Sequence, residues 1–452
     1  NYRQNDWSAY MYHTADHGRT WRRLVDDRKV KGFVTCIIQD NEEPNLLFLG
    51  TDVGLYISFD KGQKWQHWKN GLPPVQIRDL AIQETFDDLV FGTFGRAFWV
   101  LDDIGPLRQY AKSKYTSKAF DVVSATDGYL SNNRSYQGIR FIGQAEFVGE
   151  NKSTNAMISM WIKPDSKEPK EEKEAKEAKG DKKKSKKENS KKEMPQKEKT
   201  DKKDKKKDDK VRFSVINSDG DTVRQFSREI KEKGLVRTSW NLRTDGVRGP
   251  SRNDPKKDSD LPSGLSALPG TYTILATYGD ATAETTVDVK LDPRVDYITD
   301  ADMMDMKKAY DNYSISMTKA ADAYDELKTA KKSIELVGKL SETIEDEEQK
   351  KEIKKANKEA KKNLEDLMAL YMDKEGLKGI QRNPNTLTRN LGMARRYLRA
   401  SYGTPTPNAQ VSVDQALTLL DEVLGKQAEY MEGDWKTYKE KIDAVDFDLF
   451  KD

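Results

Sequence analysis

Short runs rich in apolar and aromatic residues recur through the first 110 residues, and glycine, aspartate and proline interrupt them at short intervals. This pattern predicts short β-strands joined by tight turns. Aligning Gly50 with Gly92 shows that the pattern repeats after 42 residues. One copy contains the predicted strands VTCIIQD, LLFLGTD, GLYISFD and QKWQHW, and the next contains IRDLAIQ, DLVFGTF, AFWVLDD and LRQY. Each copy therefore predicts four short strands, which is the unit of a β-propeller blade.

A turn motif occurs twice between these strands. It reads TADHGRTW at 14–21 and SFDKGQKW at 58–65. In such a turn the aspartate can accept hydrogen bonds from backbone amides, the glycine takes a positive φ, and the tryptophan packs beneath the turn. The residues predicted to fill these structural roles are Asp16, Gly18 and Trp21 in the first copy and Asp60, Gly62 and Trp65 in the second.

The motif S/T-x-D-x-G-x-x-W closely resembles the Asp-box (BNR) repeat of sortilin-type β-propellers, which also occurs in sialidases and xyloglucanase-type glycosidases. The resemblance covers residues 1–110 and implies the last two and a half blades of a propeller. So few blades cannot close a ring, and the chain begins in the middle of a blade at Asn1. We therefore expect the C-terminal part of a longer protein. A plain antiparallel sheet is the alternative interpretation.

The next part of the chain predicts a second β region. Residues 111–139 predict a connector with one short strand, AFDVV, and 140–293 predict a β-sandwich. The segments DGDTVR at 219–224, WNLR at 240–243 and PGTY at 269–272 resemble the immunoglobulin-like domain of the flagellar hook-capping family. This resemblance implies an immunoglobulin-like sandwich in which a lysine-rich run is inserted within a hairpin.

The lysine-rich run occupies residues 165–210 and contains 20 lysines and 14 acidic residues. Such a segment cannot bury apolar area, so we expect a disordered insertion. A polyelectrolyte arm for nucleic acid or an anionic surface is the functional alternative. Because the charges are interleaved and no aromatic residue is present to stack on a base, we predict a solvated loop and no nucleic-acid partner.

From residue 299 the apolar spacing changes to that of helices, and 299–449 predict a four-helix, up-down bundle. Thr299 is a predicted N-cap with Asp302 at the third helical position. Methionine and tyrosine residues then recur at intervals of three and four, which favours a packed core over a ligand groove. The remaining helices are predicted at about 345–373, 386–401 and 413–445.

Composition excludes several kinds of chemistry. The net charge is only +3, and no apolar run reaches the roughly 18 residues of a membrane span. The one cysteine, Cys36, lies in an apolar strand and is interpreted as a packing residue. The three histidines, His13, His17 and His67, lack ligand spacing, so we predict no metal site. The sequence contains no phosphate-binding glycine loop or nucleophile elbow, and we predict no cofactor and no catalytic residue.

The geometry of a propeller blade predicts which turns lie on the ligand-binding face. The turn after the second strand of a blade lies on the opposite face from the turn after the third strand, which carries the Asp box. Asp16 and Asp60 are therefore predicted to be structural. Asp52 and Arg96 follow second strands and are the predicted ligand contacts, since a guanidinium can bind a carboxylate or a peptide carbonyl. The alternative is an Arg–Asp pair that braces adjacent blades.

These observations predict a multidomain β plus α protein with a binding role. The resemblance implies a noncatalytic binding or scaffold protein, secreted or in a bacterial cell envelope, whose propeller mouth binds a peptide, protein or glycan. The alternative is a secreted glycoside hydrolase whose paired carboxylates lie in the missing blades.

Overall fold

The computed structural model describes residues 2–112, 115–131, 151–164, 210–256, 258–376, 383–400, 403–445 and 447. Within these residues the protein is a mixed β plus α structure, with several sheets followed by C-terminal helices. The lysine-rich run predicted to be disordered lies outside the described residues, apart from Lys210.

The N-terminal strands form three antiparallel sheets of two, four and three strands. In chain order the strands are β1 (Met11–His13), β2 (Arg22–Val25), β3 (Val34–Gln39), β4 (Leu47–Thr51), β5 (Gly54–Ser58), β6 (Gln66–Trp68), β7 (Ile77–Gln83), β8 (Asp88–Thr93) and β9 (Phe98–Leu101). Every strand predicted for the first copy of the repeat is present, and so are the first three strands of the second copy.

The predicted fourth strand of the second copy, LRQY, is wrong. These residues belong to helix α1 (Gly105–Lys112). The backbone of Asp103 has a positive φ of 51°, and its carboxylate accepts a hydrogen bond from the Gly105 amide at 3.0 Å. Asp103 therefore turns the chain out of the sheet and satisfies one of the amides that every helix start leaves without a partner.

The sheets pack face to face because β4 contributes apolar side chains to both of its faces. Phe48 joins a core with Phe91 of the third sheet, whereas Leu49 joins a core with Leu24 of the first sheet. Gly50 lies where the second and third sheets approach closely, since a Cβ there would lie 2.9 Å from Cγ2 of Ile77 on β7. Any larger residue would separate the sheets.

The middle region consists of two larger sheets and one small one. Its strands are β10 (Phe120–Ala125), β11 (Gly128–Leu130), β12 (Ala156–Ile162), β13 (Lys210–Ile216), β14 (Thr222–Glu229), β15 (Gly234–Trp240), β16 (Arg243–Asp245), β17 (Ser263–Ser266), β18 (Gly270–Tyr278) and β19 (Ala281–Leu291). The sheet orders are β10-β12-β15, β11-β19-β18-β13-β14 and β16-β17, and only the β11–β19 pairing is parallel. One hydrophobic core includes side chains from both larger sheets.

Two features of this region differ from the expectation. The segment 111–139 contributes β10 and β11 to the two sheets, so it is more than a connector. In addition, β12 and β13, which flank the lysine-rich run, do not pair with each other and belong to different sheets. The run therefore joins two sheets instead of being inserted in a hairpin. Sequence patterns identify strands, but pairing depends on contacts distant along the chain.

The described C-terminal residues form five α-helices, one more than predicted. They are α2 (Asp300–Leu340), α3 (Glu347–Tyr371), α4 (Leu387–Leu398), α5 (Pro407–Glu432) and α6 (Asp434–Asp443). The predicted fourth helix is divided at Gly433, whose φ and ψ are both −97°. The predicted fourth helix also begins earlier than predicted, at Pro407. Proline has no amide hydrogen that would need a partner in the first turn, and Thr406 caps the N-terminus of the helix.

The predicted stripe of methionine and tyrosine residues on α2 packs inward, as predicted. Tyr313 and Tyr324 are both about 1% exposed, and Met317 is 5% exposed in the same core. The Tyr313 hydroxyl donates to the backbone oxygen of Leu391 at 2.7 Å. These side chains therefore form a packed seam, and the buried hydroxyl of Tyr313 has a hydrogen-bond partner.

Thr299 caps α2 as predicted, and its loss provides a test of the helix start. The Thr299 hydroxyl accepts from the Asp302 amide, and the Asp302 carboxylate accepts from the Thr299 amide. We expect Thr299→Ala to lower the free energy of unfolding by about 1 kcal/mol. The control Thr329→Ala lies within the same helix, where alanine is favourable. Urea unfolding followed by circular dichroism measures the free energy of unfolding of both variants. Equal values for the two variants would contradict the capping role of Thr299.

Candidate functional site

The two Asp-box turns have the same hydrogen-bond pattern. The Asp16 carboxylate accepts from the Thr14 hydroxyl and the Thr20 amide, both at 2.8 Å. The Asp60 carboxylate accepts from the Ser58 hydroxyl at 2.9 Å and from the Lys64 amide at 2.8 Å. Each aspartate thus holds the two ends of its own turn together.

Glycine and tryptophan complete both turns. Gly18 and Gly62 have positive φ values of 90° and 80°. The indole of Trp21 donates to the Gly18 oxygen at 3.1 Å although the side chain is 61% exposed, and Trp65 packs against a buried core. The hydroxyl and amide of Thr20, followed by the Thr14 hydroxyl, lower the pKa of Asp16 to about 2. These contacts give both boxes a conformational role.

Corresponding strands of the second and third sheets run in the same direction, so corresponding ends of the two sheets lie on the same side. The Thr35 hydroxyl at the start of β3 donates to Ile77 at the start of β7. At the other end, Asn41 donates to the Glu84 carboxylate at 2.7 Å. Strands β3 and β7 therefore run side by side in the same direction. Asp60 consequently lies at the end opposite to Arg96, the arrangement predicted from the strand order.

One end of these sheets collects exposed aromatic and basic side chains, and we call it the aromatic end. A groove of about 390 Å³ there is lined in part by Tyr2, Phe33 and Arg78. The rings of Tyr2 and Phe33 stack with centroids 4.8 Å apart. The turns that carry Asp52 and Arg96 lie at the same end, because Thr51 pairs with Val34 and Thr93 pairs with Ile77.

Asp52 is held in an unfavourable environment at this end. Its backbone amide donates to the Phe33 oxygen at 3.2 Å, but its buried Oδ1 has no hydrogen-bond partner among the described residues. Burial raises the pKa of Asp52, because the charged form loses hydration. The contact is possible because Gly32 has no Cβ, which would lie only 1.8 Å from Oδ1. Oδ1 of Asp52 is therefore a buried acceptor whose hydrogen bond is still to be made.

Arg96 lies on an exposed turn next to an exposed ring. Gly95 and Ala97 have positive φ values of 85° and 57°, and the turn is closed by the Thr93 amide, which donates to the Ala97 oxygen at 3.0 Å. Phe94 in the same turn is 70% exposed. In the part of the chain that the structure describes, no ion pair joins Arg96 to Asp52. The predicted alternative of a bracing pair is therefore not found.

The opposite end, which we call the ionic end, contains a residue that the sequence did not single out. Arg108 of α1 is 4% exposed. Its guanidinium pairs with Asp40 at 2.9 Å, with Asp87 at 2.6 Å and with Glu42 at 3.1 Å. Burial opposes this charge, but the hydrogen bonds to Asp87 and Asp40 outweigh it and raise the pKa of Arg108. Nothing in the local pattern of α1 indicates these partners.

A cleft of about 630 Å³ lies between the ionic end and the middle region. Its charged groups are largely paired with one another. Lys152 contacts the Asp88 carboxylate at 2.6 Å, and Arg294 is paired with Asp292. Burial raises the pKa of Asp103 despite the nearby Arg237, which bonds to it at 3.1 Å. The Lys152–Asp88 and Arg237–Asp103 contacts attach the N-terminal sheets to the middle region.

No protein-family model matches this chain, and a comparison with curated proteins finds no relative. Among the described residues, no group of three or more histidine, cysteine, aspartate or glutamate side chains is placed to hold a metal ion. Cys36 is half-buried, and burial raises the pKa of its thiol. None of the helices in the described ranges is long and apolar enough to cross a membrane.

Removing Arg108 tests the ionic end. We expect Arg108→Met to lower the free energy of unfolding by about 3–5 kcal/mol, because it leaves the fully buried Asp40 carboxylate without its counter-charge. The control Arg28→Met removes an exposed guanidinium that is paired only with Asp26, and should leave the midpoint unchanged. Urea unfolding followed by tryptophan fluorescence measures both, and an unchanged midpoint for Arg108→Met would contradict the assignment.

Replacing Asp52 tests the cost of its burial. Because the pKa of Asp52 is raised in the folded protein, the protein should lose stability as the pH rises from the ordinary aspartate pKa, about 3.9, through the folded value. Asp52→Asn should remove this loss. Its thermal midpoint should therefore exceed that of the wild type at pH 7 and converge with it near pH 3. A constant difference across this range would show that the carboxylate charge is not responsible.

Proposed function

We propose that the N-terminal sheets are the last blades of a sortilin-type Asp-box propeller, and that the middle region is an immunoglobulin-like sandwich. Two observations support the propeller. The Asp-box turns recur with matching hydrogen bonds, and successive sheets pack face to face with β3 and β7 running in one direction. The twisted stacking of small antiparallel sheets is the propeller architecture.

We propose further that the protein is a noncatalytic binding or scaffold protein of a bacterial cell envelope or exterior. Its ligand site is the aromatic end. The observation that carries this proposal is the contrast between the two ends of the sheets. At the ionic end Arg108 is buried among carboxylates, whereas at the aromatic end Arg78 and Arg96 are exposed beside exposed rings.

The chemistry of the aromatic end suits a peptide, protein or glycan ligand. Exposed rings such as Phe94 and Tyr2 provide flat apolar surfaces for side chains or sugar faces. The Arg96 guanidinium can donate two parallel hydrogen bonds to a carboxylate or carbonyl group. Asp52 can accept from a ligand hydroxyl or amine, which would compensate the charge that burial disfavours.

A secreted glycoside hydrolase is the alternative. Glycoside hydrolysis needs two carboxyl groups roughly 5–9.5 Å apart on either side of the scissile bond. At the aromatic end Asp52 is the desolvated carboxylate, and its pKa is raised as a catalytic acid requires. In this alternative, a carboxylate from another blade of the propeller would complete the pair with Asp52.

A combined glycan and peptide array tests the proposal. We expect the protein to retain a ligand and Arg96→Ala to weaken its binding about tenfold or more, because a charge-assisted hydrogen bond is lost. Phe94→Ala should also weaken the binding of this ligand. The matched control is Arg396→Ala, which removes an exposed arginine from α4.

The outcomes distinguish the candidate functions. Binding that survives Arg96→Ala and Phe94→Ala would place the site elsewhere. Release of a shorter oligosaccharide from any arrayed glycan would replace the noncatalytic proposal with the hydrolase.

A further inference from the structure

Two arginines meet at the junction between the middle sheets and the C-terminal helices. Arg243 opens β16, and Arg399 follows the last residue of α4. Both side chains line one small cavity, whose other walls are mostly apolar. These walls are formed by Leu265, Ser266, Leu268, Met303 and Met306.

Neither guanidinium has a carboxylate partner among the described residues. The polar contact found for Arg243 is a long hydrogen bond of 3.3 Å to the backbone oxygen of Gly264. Other arginines at this junction are paired with acids. Arg248, for example, contacts Asp325 at 2.6 Å, and Arg252 contacts Glu375 at 3.0 Å. The Arg243–Arg399 pair is therefore a local excess of positive charge within a region of balanced pairs.

The surrounding groups add to this excess. Burial lowers the pKa of Arg399, and the nearby positive charges of Arg243 and Arg395 lower it further. Tyr310, which is 4% exposed, lies within electrostatic reach of all three arginines, but burial raises the pKa of its hydroxyl. A neutral phenol can donate a hydrogen bond but cannot supply a negative charge. The folded protein thus holds positive charges close together, and no carboxylate pairs with Arg243 or Arg399 among the residues that the structure describes.

The dimensions of the cavity restrict what could neutralise them. The centre of a water-sized sphere can move within about 10 Å³ of this cavity, so a single ion somewhat larger than water also fits. The mostly apolar walls offer few further hydrogen bonds to a polyatomic anion such as phosphate or sulfate. A water molecule would fit but would not compensate the charge. A monatomic anion satisfies both conditions.

We propose that Arg243 and Arg399 bind a single halide ion, chloride under ordinary conditions, in the cavity between β16 and the end of α4. The ion would accept hydrogen bonds from both guanidiniums while Met303 and Met306 shield it from bulk water. Because its two ligands belong to different regions of the protein, it would connect the middle sheets to the helices. The site is separate from the aromatic end and does not depend on its ligand.

Thermal unfolding of the full chain tests this proposal. In sodium gluconate of constant ionic strength, stepwise replacement of gluconate by chloride should raise the midpoint by about 2–4 °C, because a ligand that binds only the folded state stabilises it. Bulky gluconate serves as the salt control, since it screens charge equally but cannot enter the cavity. Equal midpoints in both salts would overturn the site.

A variant separates ion binding from packing. Arg399→Met removes one ligand and one unpaired charge, so its midpoint in gluconate should equal or exceed that of the wild type, and its response to chloride should vanish. The matched control Arg396→Met, on the exposed face of the same helix, should keep the full chloride response. An Arg399→Met protein that still responds to chloride would overturn the proposal.

Crystals grown in sodium bromide provide a test that needs no variant. Bromide should give an anomalous peak between the Arg243 and Arg399 guanidiniums. A cavity without that peak, in crystals that bind bromide elsewhere, would contradict the assignment.

Discussion

The buried guanidinium of Arg108 determines how the N-terminal sheets are assembled. It joins α1 to Asp40, in the turn after β3, and to Asp87, in the turn after β7. An ion pair removed from water is costly unless every partner is in place, so this contact tolerates little movement of either turn. The two sheets must therefore present corresponding ends to the same side of the molecule. Because Asp103 starts α1 and also contacts Arg237, the same end is fixed to the middle region.

This constraint separates the two ends of the sheets. The charges at the ionic end are engaged in structural pairs, and the carboxylate of Asp60 in the Asp-box turn beside them is occupied by hydrogen bonds within that turn. The aromatic end has no comparable network in the residues that the structure describes. Arg96 and Phe94 extend into solvent there, while Asp52 keeps a carboxylate oxygen without a partner. A surface of this kind gains more from a ligand than the ionic end would, because its polar groups still have hydrogen bonds to make.

Charge pairing also organises the junction with the helices. The loop between β16 and β17 lies along α2 and α3, where Asp254 contacts both Lys328 and Lys332 and its pKa is lowered to about 2 by them. Lys328 is only 8% exposed, so its positive charge needs partners within the protein. Asp254 of this loop supplies a negative charge in addition to the one provided by α2. Against this background the unneutralised Arg243 and Arg399 form an exception. Because the neighbouring charges at this junction are paired, we infer that a bound ion balances the charge of these two arginines.

The sequence alone determined the features that depend on neighbours in the chain. The strands of the repeat were predictable from their apolar runs and the turn residues between them. The Asp60 turn and the Thr299 cap were predictable because their hydrogen-bond partners lie within about four residues. Only the tertiary structure decided the rest. Arg108 and Asp40 are 68 residues apart, and no periodicity records such a pair. The sheet membership of β12 and β13 and the orphaned oxygen of Asp52 likewise depend on packing between distant segments. Burial, which makes a charge strong or costly, is a property of the assembled chain and not of its local sequence.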